Sequence, residues 1–307
     1  MKTIFLSSGQ GSFVPGMGKS EYDRIPAFRA AIDEISASSG EDIPSLCWGS
    51  GRVKVKNDPY LSHVSLWASN YAMTRALEAA GSTPDLLMGH SLGEIIAFCL
   101  SGALTLADAC RLIARRGKLF AENRERSASD LVAVIGERES LKAFTADIVS
   151  VPGVYPANFN TPMQVVFAIA NRDAELFSGR AREAGLRSVP LKVGNGCHSP
   201  HVSEIHLPLA EFVDSLEIAD PAVPVFSCVT SAVVDTASQV KDILKRHVLC
   251  PVHWWETLDA LAANSGGDFR LIDLSFSNAV KGLVLGWRAD APLSQAEALL
   301  KETRNEC

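Results

Sequence analysis

The segment Asp85-Leu86-Leu87-Met88-Gly89-His90-Ser91-Leu92-Gly93-Glu94 constrains the fold more than any other stretch of the chain. A short apolar run, read as a strand, meets Gly89-His90-Ser91-Leu92-Gly93, and Glu94-Ile95-Ile96-Ala97-Phe98-Cys99-Leu100 follows as a helix. Strand, Gly-x-Ser-x-Gly turn and helix in that order read as a nucleophile elbow of an α/β sheet. Glycine at both ends lets the backbone turn sharply and lifts the Ser91 hydroxyl out of the turn. The helix behind it offers N–H groups and a positive dipole end to a reacting carbonyl. The plainer alternative is a tight βα turn whose serine only caps a helix.

With 307 residues, 47% of them hydrophobic and 21% charged, the chain can bury a large core. Its length fits one large domain with an insertion, or two domains. No apolar run approaches the roughly 20 residues of a membrane helix. The start, Met1-Lys2-Thr3-Ile4-Phe5-Leu6, turns polar and Gly-rich too soon for a signal peptide. Seven cysteines, an odd count without a C-x-x-C pair, speak against a disulfide framework or zinc site and for a reducing, cytoplasmic setting. A net charge of −6 gives nucleic acid no support as a partner.

Thr3–Leu6 and Asp85–Met88 read as buried strands, with a helical pattern over Leu61–Ala80 that stops at Gly81. Thr105 caps a further helix running past Arg111, Arg115 and Arg116, with Asp108 as an imperfect capping-box partner. Between about 126 and 196 the pattern changes. Strand-like runs at 131–135, 164–169 and 187–193 alternate with helices near 139–148 and 172–185. The expected fold is therefore α/β, with two parts. A large α/β-hydrolase-like domain with a parallel sheet takes 1–125 and 197–307, and a small ferredoxin-like α+β subdomain takes 126–196.

A serine hydroxyl needs a base. His90 adjoins Ser91, but neighbouring side chains on a turn diverge, so it reads as structural. His198 and His201 lie in the loop Gly194-Asn195-Gly196-Cys197-His198-Ser199-Pro200-His201, and spacing alone leaves the choice open. Gly9-Gln10-Gly11, directly after the first strand, is placed to offer a backbone N–H to an oxyanion. Neither a phosphate loop nor a dinucleotide fingerprint fits here, because Phe13 and Val14 stand where those motifs need glycine.

Six stretches then follow one another in a telling order: Gly9-Gln10-Gly11-Ser12, Gly89-His90-Ser91-Leu92-Gly93-Glu94, Arg116-Gly117, Asn158-x-Asn160-Thr161-Pro162, Cys197-His198-Ser199-Pro200 and Pro251-Val252-x-Trp254. Together they resemble the malonyl-CoA:acyl-carrier-protein transacylase family, which includes the acyltransferases of polyketide synthases. The resemblance spans nearly the whole chain and implies a free-standing, trans-acting member. It implies Ser91 as the acylated nucleophile and His198 as the base. Backbone N–H groups of Gln10 and Leu92 would bind the oxyanion, and Arg116 would fork onto the free carboxylate of a malonyl-type group. His63, Asn160, Cys197 and His247 fall at substrate-side positions. A backbone carbonyl near position 247 would orient the base. The implied partners are acyl-CoA and an acyl carrier protein, with no metal or other cofactor. Arg111, Arg115, Lys118, Arg124, Arg126, Lys192, Lys245 and Arg246 are candidate contacts for an acidic carrier.

The chain departs from the family's pattern at several points. Ser8 and Phe13 flank the N-terminal motif differently, and His63 and His247 replace glutamines. Asn195-Gly196-Cys197 replaces His-Ala-Phe, and Asp273–Ser277 replaces a glycine- and proline-containing turn. Small residues before His198 leave more room beside the acyl α-carbon. Three alternatives to malonyl transfer stand beside it: transfer of an unusual acyl or aminoacyl group between carriers, editing hydrolysis, and a non-catalytic carrier-binding module.

Overall fold

The computed structural model describes residues 1–49, 58–191 and 193–305. Among these residues ten strands carry the architecture: β1 (Lys2–Ser7), β2 (Leu86–Gly89), β3 (Ser129–Ile135), β4 (Tyr155–Thr161), β5 (Gln164–Ala170), β6 (Arg187–Pro190), β7 (Val225–Ser227), β8 (Ala232–Val234), β9 (Phe269–Asp273) and β10 (Leu293–Gln295). They form two sheets, in the orders β10-β9-β1-β2-β7-β8 and β4-β5-β3-β6. The first is parallel except for β8, which runs antiparallel to β7. Helices cover both faces of β1 and β2, so these strands are continuously apolar rather than alternating, and Ile4, Phe5 and Leu6 are all buried.

The second sheet is antiparallel throughout. Its strands and its two helices, Arg138–Ile148 and Ala174–Glu183, follow the ferredoxin-like sequence strand-helix-strand-strand-helix-strand. Its strand β4 has no counterpart in the sequence reading, which put strands of this region at 131–135, 164–169 and 187–193 alone. The structure explains how Pro156, Asn158 and Asn160 fit a strand. β4 lies at the sheet's edge, where proline is tolerated, and its register shifts at Pro156/Asn158 and at Phe159/Thr161. The free side of β4 is stitched to the large domain: Phe159 N–H donates to Val252 O, and Val252 N–H donates to Ala157 O. β6 ends at Pro190, short of the expected 193, and Lys192 lies outside the described residues.

Two helices frame the site. Pro59–Ala79 starts at Asp58, whose side chain accepts from the Tyr60 and Leu61 N–H groups, and it is buried around much of its circumference. Leu106–Arg124 starts at Thr105, whose hydroxyl oxygen accepts from Asp108 N–H. The hydroxyl itself donates to the Asp108 carboxylate, so only half of a capping box forms.

The parallel register pairs Ser7 with Gly89, which sets the ends of β1 and β2 side by side beneath the helix Leu92–Leu100. Gly93 is where that helix crosses β1. A Cβ there would stand 2.2 Å from the Ser7 carbonyl oxygen and 2.6 Å from its carbon. Backbone atoms cannot swing aside as a side chain can. Gly93→Ala therefore destabilises the fold by about 3 kcal/mol or more, to be read from the denaturant midpoint at unchanged slope.

Candidate active site

The elbow places Ser91 at φ 53° and ψ −118°, a strained conformation for a residue with a Cβ. The turn closes through Gly93 N–H to His90 O and Glu94 N–H to Ser91 O. Leu92 N–H is left without a partner among the described residues. The same is true of Gln10 N–H, at the first turn after β1. Gly9 makes that proximity feasible, since a Cβ on it would sit 2.8 Å from His90 O and 3.6 Å from Ser91 Cβ. Leu92 N–H follows the serine directly, and Gln10 N–H follows Gly9, the residue that packs against the elbow.

Of the two loop histidines, the structure brings His198 to the serine, with Nε2 2.7 Å from Ser91 Oγ. His201 instead donates its Nε2–H to Gly153 O, 2.8 Å away. His198 is gripped by its backbone and its ring. Its N–H donates to Val248 O at 2.7 Å, and its Nδ1–H donates to Cys250 O at 2.9 Å. Because Nδ1 must carry the hydrogen, Nε2 is the basic nitrogen and faces the serine. The orienting carbonyl belongs to Cys250, three residues beyond the expected position 247. Burial holds the His198 imidazole well below 6.5, and the neighbouring His247 and Arg116 push in the same direction.

Arg116 projects from the helix Leu106–Arg124 and is 2% exposed. No carboxylate among the described residues pairs with it. Its Nη1–H donates to His63 Nε2 at 3.1 Å, its Nε has no partner among the described residues, and its carbon lies 4.3 Å from the centre of the Phe120 ring. Burial draws its pKa down to about 10, so it still carries its charge at neutral pH. His63 is fully buried, and burial followed by Arg116 holds it well below 6.5, so it is a neutral acceptor. The Gln10 side chain reaches the same nitrogen at 3.4 Å. Cys197 lies within the field of Arg116, yet burial outweighs it and lifts the thiol to about 11.

Asn160 stands one step behind the serine: His90 Nε2–H donates to its Oδ1 at 2.8 Å, and its Nδ2 donates to Gln164 Oε1 at 2.8 Å. The link ties the small subdomain to the elbow and gives His90 a structural task. Asn195, in the loop that carries Cys197, donates to Phe120 O at 3.2 Å and accepts from Asn123 Nδ2 at 2.5 Å, which fixes that loop to the helix of Arg116. His247 is fully buried with its ring edge-on to His198, 5.3 Å between centres. Three groups received no role in the sequence reading: Glu94, Ser227 and the Cys250 carbonyl. Only Glu94 had a visible signal, a lone acid in the apolar run Leu92–Leu100.

Of the surface cations, Arg111 pairs with Asp108, Lys245 with Asp214 and Arg246 with Asp242. Lys118 lies over the Tyr60 ring, and Arg126 lines a surface cavity with Arg172 and His201. No group of three or more His, Cys, Asp or Glu among the described residues is arranged to hold a metal ion. Nor is any helix there long and apolar enough to cross a membrane.

The acyl transferase domain family matches residues 4–283. The malonyl CoA-acyl carrier protein transacylase of Bacillus subtilis (strain 168) is 32% identical over 287 residues, covering 92% of this chain and 89% of its own. The crystal structure of a malonyl transacylase from Streptococcus pneumoniae, 29% identical, superposes with a TM-score of 0.88 over 98% of this chain and 100% of that one. A malonyl transacylase solved with a holo acyl carrier protein of a type II polyketide synthase is 26% identical, with a TM-score of 0.88 and full coverage of both chains.

Proposed function

Because the chain belongs to the acyl transferase domain family, we propose that it moves a malonyl-type group from CoA, through an ester on Ser91, to the phosphopantetheine thiol of an acyl carrier protein in fatty-acid or polyketide synthesis. Arg116 is the observation that carries this reading. A buried guanidinium without an acidic partner is costly to keep, and an incoming carboxylate supplies what it lacks. Its planar fork matches a carboxylate with two parallel hydrogen bonds. His63, accepting from one Nη, sets the fork's orientation, and Cys197 and the loop held by Asn195 form the neighbouring wall. An editing hydrolase for simple acyl groups would have no use for this cation.

The reaction runs in two balanced halves. His198 Nε2 takes the Ser91 proton as Oγ attacks the thioester carbon, and the oxyanion rests on the N–H groups of Gln10 and Leu92. The C–S bond then breaks, His198 returns the proton to the CoA sulfur, and the ester remains on Ser91. In the second half the carrier's thiol gives its proton to His198, attacks the ester, and Ser91 recovers its hydrogen. The scheme uses only these groups and the two substrates. We place it in the cytoplasm, the setting that suits six described cysteines that are all free thiols.

The test is transfer from malonyl-CoA and from acetyl-CoA to a holo carrier protein, followed by chromatography of the carrier. Malonyl-carrier as the dominant product supports the reading. Free malonate without loaded carrier, or preferential acetyl loading, would overturn it. The pH dependence follows from the direction in which His198 is shifted. The base must be neutral to accept the serine proton, and burial keeps it neutral well below 6.5. The acid limb of kcat/KM, which reports the free enzyme, accordingly lies below pH 6.5.

A further inference from the structure

Strand β4 of the small subdomain reaches both members of the Ser91–His198 pair. One of its edges pairs with β5. The other forms a parallel bridge with Val252, through Phe159 N–H to Val252 O at 2.8 Å and Val252 N–H to Ala157 O at 2.9 Å. Val252 comes just after Cys250, whose carbonyl takes the Nδ1–H of His198. Next to Phe159 on the same strand, Asn160 accepts from His90, the neighbour of Ser91. A third contact closes the figure. The His90 ring lies edge-on to Trp254, shortly after Val252, with 5.4 Å between centres. Thus β4, the elbow and the 250–254 segment brace one another in pairs. The nucleophile hangs from the elbow and the base from the 250–254 segment.

We propose that β4 sets the approach of Ser91 to His198, and that Asn160 is the positioning residue through which it does so. The kinetic consequences rest on the transfer reading, whereas the brace itself does not. Asn160 is buried and uses both ends of its amide. Its Oδ1 takes the His90 proton and its Nδ2 donates to Gln164 Oε1 at 2.8 Å, so the side chain cannot turn without breaking a bond. A buried His90 N–H that loses this acceptor is left unpaired away from bulk water. The backbone of the elbow needs such support. Ser91 sits at φ 53°, and a strained residue of this kind persists only where its surroundings over-determine it. His90 is fixed on one side by its N–H to Ser7 O, and Asn160 fixes it on the other. If the strand moved, the serine and the orienting carbonyl of the base would shift relative to one another. A displacement of about 1 Å in a reacting group costs about 100-fold in rate.

The test uses a probe that needs neither the carboxylate site nor a carrier, phenylmethanesulfonyl fluoride. Ser91 Oγ attacks its sulfur and fluoride leaves, while His198 takes the serine proton. Sulfonylation of the intact protein is followed by mass spectrometry, beside steady-state malonyl transfer. Asn160→Leu keeps the volume and removes the acceptor. It should slow sulfonylation and lower kcat by the same factor, about 100-fold, with KM for malonyl-CoA unchanged. Asn160→Asp still accepts from His90, and Gln164 can turn its amide over to donate to it, so most of both rates should return. Gln164→Leu covers the case in which Asn160→Leu does not fold. It frees one end of the Asn160 amide from a half-buried position, and should lower both rates together, to a smaller extent. A loss confined to KM, or wild-type rates in Asn160→Leu or Gln164→Leu, overturns the brace. Sulfonylation that depends on Asn160 in a protein that transfers no malonyl group would sink the transfer reading instead and leave the brace standing.

Discussion

Alanine at position 91 removes acyl transfer by about 10⁴-fold or more while leaving the fold intact. The loss is large because the serine oxygen is the atom that becomes covalently bonded. The proposed oxyanion donors at Gln10 and Leu92 and the proposed carboxylate site at Arg116 remain, and they cannot replace a nucleophile. The residue that follows from this logic is a background rate supported by binding alone. Alanine keeps the same Cβ at φ 53°, so the elbow's strain is unchanged and stability should move by less than about 1 kcal/mol. His198→Ala should fall to a similar level, and the double variant should be no worse than either, because the 2.7 Å Ser91–His198 contact acts as a unit. Transfer rates together with thermal midpoints for the three variants check this. Additive losses would mean that the two side chains act separately.

Arg116→Ala should reverse the enzyme's preference rather than silence it. A desolvated, charge-assisted fork to a carboxylate contributes about 3 kcal/mol, so kcat/KM for malonyl-CoA falls by roughly 100-fold or more. Acetyl-CoA offers no carboxylate to lose and should react as fast as before or faster. Arg116→Lys should rescue little, since a point charge on a flexible stem does not reproduce two parallel bonds. A second consequence separates the field of this cation from its contacts. Arg116 is among the causes that hold His63, His198 and His247 down. Removing it lets the His198 imidazole rise, so the acid limb of kcat/KM for acetyl-CoA should move upward in the variant. Equal losses for both donors would show that Arg116 serves packing instead of carboxylate selection.

Much of this arrangement was legible in the sequence where local chemistry alone decides it. The strand–elbow–helix around Ser91 needs glycine at 89 and 93 for reasons internal to the turn, and the resemblance ordered the remaining motifs along the chain. Strand β4 was not legible, since its proline and asparagines are tolerated only because the strand lies at an edge and pairs irregularly. The choice between His198 and His201 depends on how the loop folds back onto Val248 and Cys250, more than 45 residues downstream. Nothing local announces that. The Cys250 carbonyl is invisible to any reading of side chains, because every residue carries one. Glu94 was visible as an acid in an apolar helix, but its partners Ser227 and His247 come from two other parts of the chain. Asn160 likewise gains its meaning only when His90 is placed against it.

In the proposed mechanism Ser91 carries a carboxyacyl ester whose free carboxylate is held by Arg116. Intact-mass spectrometry of the protein mixed with malonyl-CoA, with peptide mapping of the product, tests it most directly. The expected product is a single malonyl adduct on the peptide containing Ser91, discharged by a holo carrier protein and strongly reduced in Arg116→Ala. An adduct on another residue, or one formed equally well from acetyl-CoA and unaffected by the Arg116 substitution, would contradict it.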